Sequence, residues 1–162
     1  MANNDLLIKL YEINFDQLLT SNNINQEITV RKPIGTDRRL LIEWAQQHYP
    51  DLWLSEIETA LANTPCSCFI AQQGASIVGF ACYDTTALGY FGPLGVVDAA
   101  KGQGVGQRLT LSCLREMHLK GYGYAIVGMP SSSDFYRKIV PIIEIPGSDP
   151  GLYRMTKALM KE

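Results

Sequence analysis

Apolar and polar positions change period several times along the chain, and each change marks an element. Residues 6–13 read as a short strand or amphipathic turn, and a polar loop over 20–26 separates them from the strand Ile28-Thr29-Val30-Arg31, which Pro33 closes. Leu40, Leu41, Trp44 and Ala45 then fall at helical spacing behind a cap at Thr36 or Asp37, and a second helix over 52–61 follows Pro50. Two apolar runs, 68–71 and 77–83, joined through Gln72-Gln73-Gly74-Ala75, predict a hairpin. A strand over 89–97 enters a glycine-rich turn, after which Val105, Leu109, Cys113 and Met117 recur at four-residue steps as the stripe of a long helix. Gly121 suits the left-handed C-cap of that helix, and Tyr124-Ala125-Ile126-Val127 reads as a buried parallel neighbour of the strand at 89–97. The tail predicts a short helix over 134–139, a strand at 142–145, a loop over 146–151 and a last strand over 153–159. This order gives an α+β fold with a mixed sheet flanked by helices.

Length and charge narrow the picture. A chain of 162 residues makes one domain, with a core over 28–159 and an N-terminal extension over 1–26 that can add a strand. A net charge of −2 offers no general attraction to nucleic acid or to an anionic membrane, so any anion site is local. The uncharged span 59–83 is interrupted by Asn63-Thr64-Pro65 and Gln72-Gln73-Gly74, which excludes a membrane-spanning helix there. Asp5, Lys9, Glu12 and Asp16 interrupt the first apolar stretch as no secretory signal does, so the expected location is cytoplasmic. Cys66-x-Cys68 is a poor zinc spacing and no paired Cys/His element follows; Cys66, Cys68, Cys82 and Cys113 read as reduced, mostly buried thiols, and no metal is expected.

The candidate chemistry lies in Leu94-Gly95-Val96-Val97-Asp98-Ala99-Ala100-Lys101-Gly102-Gln103-Gly104-Val105-Gly106-Gln107. Gly102, Gly104 and Gly106 remove Cβ atoms where the backbone turns, and the free N–H groups and positive dipole end of the following helix face them, an arrangement suited to a pyrophosphate. The same spacing also serves a tight strand-to-helix connection. A nucleoside triphosphate loop is excluded by the lack of Gly-Lys-Ser/Thr, and a dinucleotide fingerprint by the lack of an acidic ribose partner. Gly92-Pro93 predicts a bend or bulge in the strand ahead of the loop.

Lys101-Gly102-Gln103-Gly104-Val105-Gly106 resembles the pyrophosphate loop Gln/Arg-x-x-Gly-x-Gly/Ala of the GNAT acyl-coenzyme A-dependent N-acyltransferases, with Lys101 where Gln or Arg is usual. Asp134-Phe135-Tyr136-Arg137-Lys138 is similar to that family's Phe-Tyr-x-Lys segment, and the resemblance covers 28–159. It implies a mostly antiparallel sheet whose central parallel strands splay apart, with pantetheine lying against Leu94, Gly95 and Val96 and the pyrophosphate cradled by Gly102, Gln103, Gly104, Val105, Gly106 and Gln107. It further implies acetyl-CoA as cosubstrate, Tyr136 as general acid, and attack on the thioester by a primary amine of a small molecule or peptide within a ternary complex. A non-catalytic acyl-CoA-binding module is the alternative, and a homodimer is compatible with either. The helical arm over 36–61 and the loop over 146–151 are expected to flank the amine. As general base, Glu56 and Asp84 are the candidates, each also readable as a solvated surface carboxylate. His48 reads as an acceptor-site residue or a helix-end surface residue, while Trp53, Tyr83 and Tyr90 read as pocket lining or core. Phe135 reads as packing, and Tyr136 as either packing or proton donor.

Overall fold

The computed structural model describes residues 2–160. Its strands are β1 (Leu6–Lys9), β2 (Ile28–Arg31), β3 (Cys68–Gln73), β4 (Ser76–Tyr83), β5 (Tyr90–Val96), β6 (Tyr124–Val127) and β7 (Ile143–Glu144). The helices are α1 (Phe15–Ser21), α2 (Arg38–His48), α3 (Asp51–Ala62), α4 (Val105–Lys120), α5 (Ser133–Arg137) and α6 (Arg154–Leu159). All strands form one mixed sheet in the order β2-β3-β4-β5-β6-β1-β7, in which only β5 and β6 run parallel.

The helices cover the sheet on both faces. On one face α4 buries Val105, Leu109, Cys113 and Met117 in a core shared with Leu6, Ile8, Phe91 and Val127. On the other, α2 and α3 press Leu41, Ala45, Ile57 and Ala60 against Cys68, Ile70, Phe80 and Cys82. A fully buried leucine such as Leu109 or Leu41 contributes about 2–3 kcal/mol of transfer free energy, so these two stripes fix where the helices sit. Gly121 ends α4 with φ 108, in the left-handed cap the sequence predicts.

Three local expectations are corrected. Residues 20 and 21 belong to α1 rather than to a polar loop, because Asn14 caps that helix by accepting from Gln17 N–H and Phe15, Leu18 and Leu19 pack on the core. Asp37 does not cap α2 with its side chain; it turns back to accept from Ile34 N–H at 2.7 Å and from both Arg31 guanidinium nitrogens at 2.7 and 3.0 Å. The segment 153–159 is not a strand but leads into and forms α6. Its period-two pattern resembles a strand, yet the sheet position beside β6 is already filled by β1, which pairs antiparallel with β6 and β7. The segment instead winds into a helix, and Tyr153 and Lys157, four residues apart, are its half-buried positions.

Candidate functional site

The parallel pair β5–β6 lasts for two residues: Tyr90 lies opposite Ile126 and Phe91 opposite Val127. Beyond that point β6 stops while β5 runs on to Val96. Leu94 faces Ala81 and Phe91 faces Tyr83 across β4, so Gly92 and Pro93 together oppose Cys82, which is the predicted bulge. Val97 N–H donates to Val78 O of the β4 side at 2.9 Å. Counting back by the strand period, Gly95 also turns its N–H toward β4, and the N–H groups of Leu94 and Val96 point into the fork between β5 and β6. Gly95 has a separate steric duty: a Cβ there would lie 2.5 Å from the Tyr49 ring.

At the far end of β5 the chain makes a short helical turn and enters the glycine loop. Gly102 and Gly104 have φ of 77 and 80, which side-chain-bearing residues adopt at a cost, and Gly104 is the residue before α4. Among the described residues, no backbone N–H from Gly102 through Gln107 donates to another group of the chain. These donors and the positive end of the α4 dipole form one anion-attracting surface. The opposite side of the loop is braced by residues the sequence reading did not single out. Asn25 donates from its backbone to Gln103 O at 3.0 Å and from Nδ2 to Gln103 Oε1 at 2.7 Å, and Asn22 Nδ2 reaches Gly104 O at 3.2 Å and Gln107 Oε1 at 3.1 Å. Arg108 Nε in turn donates to Asn22 Oδ1 at 2.9 Å. Lys101 points away to pair with Asp98 at 2.9 Å on the surface.

A cavity of about 570 Å³ opens at the fork, lined by Trp53 and Glu56 of α3, Thr85 and Thr86 after β4, Phe91 to Leu94 of β5, Val127 at the end of β6 and Gly128 to Ser131 beyond it, Tyr136 of α5, and Tyr153 and Lys157. Tyr136 is buried, meets Phe91 and Phe135 edge-on, and has no hydrogen-bond partner for its hydroxyl among the described residues; burial raises its pKa well above the ordinary phenol value. Ser132 caps α5 by accepting from Phe135 N–H at 3.3 Å, and Phe135 lies over Gly106, where an added Cβ would come within 3.2 Å of its ring. The tyrosine is thereby tied to the glycine loop.

Glu56 reaches the cavity and accepts a hydrogen bond from the Thr86 hydroxyl. Burial raises its pKa, the Thr86 bond lowers it, and among the described residues no cation pairs with it. Asp84 is neither a cavity carboxylate nor a solvated one: its side chain is 1% exposed, bound to Lys120 Nζ at 2.7 Å and to Gly89 N–H at 2.8 Å, where it closes the β4–β5 turn. Trp53 lines the cavity, Tyr83 is core, Tyr90 stands outside the lining, and His48 is exposed beside Trp44 and Tyr49. The loop over 146–151 does not flank the cavity as expected. It is tied instead to the N-terminal segment, where Asn3 N–H donates to Asp149 Oδ2 and Asp5 N–H to Ser148 Oγ, both at 2.7 Å, and its place at the cavity is taken by Tyr153 and α6. Asp5 Oδ1 also accepts from Met129 N–H at 3.2 Å, fixing the segment that leaves β6.

Cys68, Cys82 and Cys113 are buried and Cys66 half-buried, all as free thiols, and none lines the cavity. Among the described residues no cluster of three or more His, Cys, Asp or Glu side chains can hold a metal, and no helix is long and apolar enough to cross a membrane.

The fold is shared with known proteins. The chain resembles in structure a glucosamine N-acetyltransferase region of a fungal multi-domain GH3 beta-N-acetylglucosaminidase (TM-score 0.69, 13% identity), over 87% of this chain and 20% of that one. It also resembles a GCN5-related N-acetyltransferase from Sphaerobacter thermophilus (TM-score 0.60, 19% identity), over 94% of this chain and 46% of that one. The chain thus spans less than half the length of either. A third similar structure, a GNAT family acetyltransferase from Brucella melitensis in complex with acetyl-CoA, matches at TM-score 0.52 and 13% identity over 75% of this chain and 90% of that one. No curated protein matches by sequence. At these identities the likeness is one of fold, but the sequence profile of the Acetyltransferase (GNAT) family itself matches residues 38–139, from the start of α2 to just past α5. The chain belongs to the GNAT acetyltransferase family.

Proposed function

We propose that this protein transfers an acetyl group from acetyl-CoA to a primary amine by direct attack in a ternary complex. The observation that carries the reading is that one cavity holds an unpaired carboxylate, Glu56, and an unpartnered phenol, Tyr136, on either side of the fork where β5 leaves β6. The pyrophosphate sits on the free N–H groups from Gly102 to Gln107, and the pantetheine amides pair with the backbone of Leu94 and Val96 as an added strand. The thioester then lies at the fork.

Four events follow from these positions. Glu56 attracts an ammonium group and, as the carboxylate, takes its proton; a raised pKa makes it a better base than an exposed glutamate. The neutral amine attacks the carbonyl carbon. Oxyanion charge meets the Leu94 N–H, a preorganised donor worth about 3–4 kcal/mol in such sites. As the C–S bond breaks, the Tyr136 hydroxyl donates a hydrogen bond to the departing sulfur, and the second proton of the attacking nitrogen leaves to solvent or to the thiolate. A phenol is a weaker acid than a thiol and burial weakens this one further, so its main effect is hydrogen-bond stabilisation of the thiolate rather than full proton transfer.

The test is release of free thiol from acetyl-CoA against a panel of amino sugars, polyamines, amino acids, antibiotics and peptides. Amine-dependent release with the N-acetylated product supports the transfer reading. Tight acetyl-CoA binding with no release in any member supports the non-catalytic acyl-CoA-binding module instead.

A further inference from the structure

Two helices from distant parts of the chain each turn one face to the cavity. From α3 come Leu52, Ser55, Glu56 and Thr59. From the start of α6 to just past its end come Tyr153, Thr156, Lys157 and Met160. Both sets follow the i, i+3, i+4, i+7 spacing of a helix face. On α3 it is the face left over from packing, since Ile57 and Ala60 hold that helix to the sheet, and α6 gives no buried residue to the core. The described residues lining the cavity include one acid, Glu56, and one base, the half-buried Lys157; the others are apolar, aromatic, hydroxyl-bearing or glycine. Among the described residues neither charge forms an ion pair, with the other or with any third side chain. A carboxylate and an ammonium group that share a cavity without meeting present it with two fields of opposite sign.

We propose that the acceptor is a small zwitterion, an amine that also carries one carboxylate in the manner of an amino acid, with its ammonium group drawn to Glu56 and its carboxylate to Lys157. The proposal rests on reading this cavity as the acceptor site of an acetyltransferase. A singly charged amine answers Glu56 and leaves the half-buried Lys157 without a counter-ion, whereas a zwitterion answers both. Lys157 is a point charge with no arginine fork beside it in the lining, so it matches the single charge of a carboxylate better than a phosphate monoester of charge about −2. The pair also sets direction: a carboxylate held at α6 sends the amine, and not the other end of the molecule, to Glu56. Lys157 is thereby a specificity-determining residue, placed by the segment whose helical form brings it to the cavity.

The experiment measures kcat/KM of the full-length enzyme for matched amines with and without the negative charge, at saturating acetyl-CoA. The pairs are leucine and leucinamide, β-alanine and propylamine, and, as a phosphate arm, phosphoethanolamine and ethanolamine. Comparing the ratio within each pair between wild type and variant cancels the amines' own reactivity. Lys157→Met keeps the length of the stem and loses the charge. It is expected to lower the carboxylate-to-neutral ratio by about tenfold, the cost of one charged contact, while Lys157→Arg retains most of the ratio. Added salt should lower the wild-type ratio and leave that of Lys157→Met in place. A ratio unchanged by Lys157→Met, or a defect seen only in the KM for acetyl-CoA, overturns the zwitterion site and leaves the transfer reading standing. A charge effect confined to the phosphate pair overturns the carboxylate assignment. Calorimetric titration of the same amines into protein loaded with coenzyme A reads binding without turnover. Carboxylate-selective binding that Lys157→Met abolishes, with no thiol release from any amine, supports the paired-charge site and overturns the transfer reading; the absence of both binding and release overturns the two together.

Discussion

Tyr136 meets the ring of Phe91 edge-on with centroids 6.1 Å apart, and Phe91 is the last residue of β5 that pairs with β6. The phenol is therefore held at the fork itself. Its ring is fixed by packing, while its hydroxyl bonds to nothing else in the described chain, so ring and hydroxyl can be separated by experiment. Tyr136→Phe is expected to leave folding and coenzyme A affinity near wild type and to lower the single-turnover rate by roughly a hundred- to ten-thousand-fold. The loss appears in kcat, since the bond forms as charge develops on sulfur. Rapid-quench kinetics with the best amine from the panel measures it.

The glycines of the loop separate into two kinds. At Gly104 a Cβ would sit 2.9 Å from Ile24 N, so Gly104→Ala should displace the bracing segment and lower both thermal stability and coenzyme A affinity. At Gly106 the obstacle is the Phe135 ring at 3.2 Å, a side chain that can shift, so Gly106→Val should weaken coenzyme A with a smaller loss of stability. Paired thermal unfolding and calorimetric titration with coenzyme A distinguish the two.

Burial raises the Glu56 pKa, and the base works only when deprotonated, so kcat/KM should rise with pH through a limb lying above the ordinary glutamate range. Glu56→Gln should remove that limb and lower the rate at its plateau. A pH profile of kcat/KM for the amine, at saturating acetyl-CoA, measures both effects.

The Arg31–Asp37 pair gives a prediction about stability. Bonding to Arg31 and to Ile34 N–H lowers the Asp37 pKa to about 2. Because the folded value lies below the unfolded one, the stabilisation is fully present above about pH 4 and is lost as pH falls through the folded pKa. With the Asp37 side chain 14% and Arg31 34% exposed, solvent screening leaves roughly 1–2 kcal/mol. Denaturant unfolding of wild type and Asp37→Asn should differ by this amount at neutral pH and converge on acidification.

Much of this fold was legible because its signals are local. The α4 stripe, the Gly121 cap, the β3–β4 hairpin and the interruption at Gly92-Pro93 each depend on residues a few positions apart. The 153–159 segment reads as a strand from its own residues, whereas its helical form, with Tyr153 and Lys157 lining the cavity, depends on packing that no local pattern contains. The fate of Glu56 and Asp84 was equally non-local: two carboxylates that look alike in sequence are separated by Lys120, which neutralises one and lies on a helix far along the chain from both. Asn22 and Asn25 carry no signal in a polar loop; they matter because the chain returns to the glycine turn beside them. Tyr153 carries no signal in a strand; its four-residue spacing from Lys157 has meaning only in a helix.

The central claim is that acetyl-CoA occupies the fork between β5 and β6 with its thioester beside Tyr136, and the most direct measurement is a crystal structure of the protein with acetyl-CoA. The predicted result has pyrophosphate oxygens on the N–H groups between Gly102 and Gln107, pantetheine amides paired with Leu94 and Val96, and the sulfur within hydrogen-bond reach of the Tyr136 hydroxyl. Acetyl-CoA bound away from the fork, or with its thioester remote from Tyr136, would contradict it.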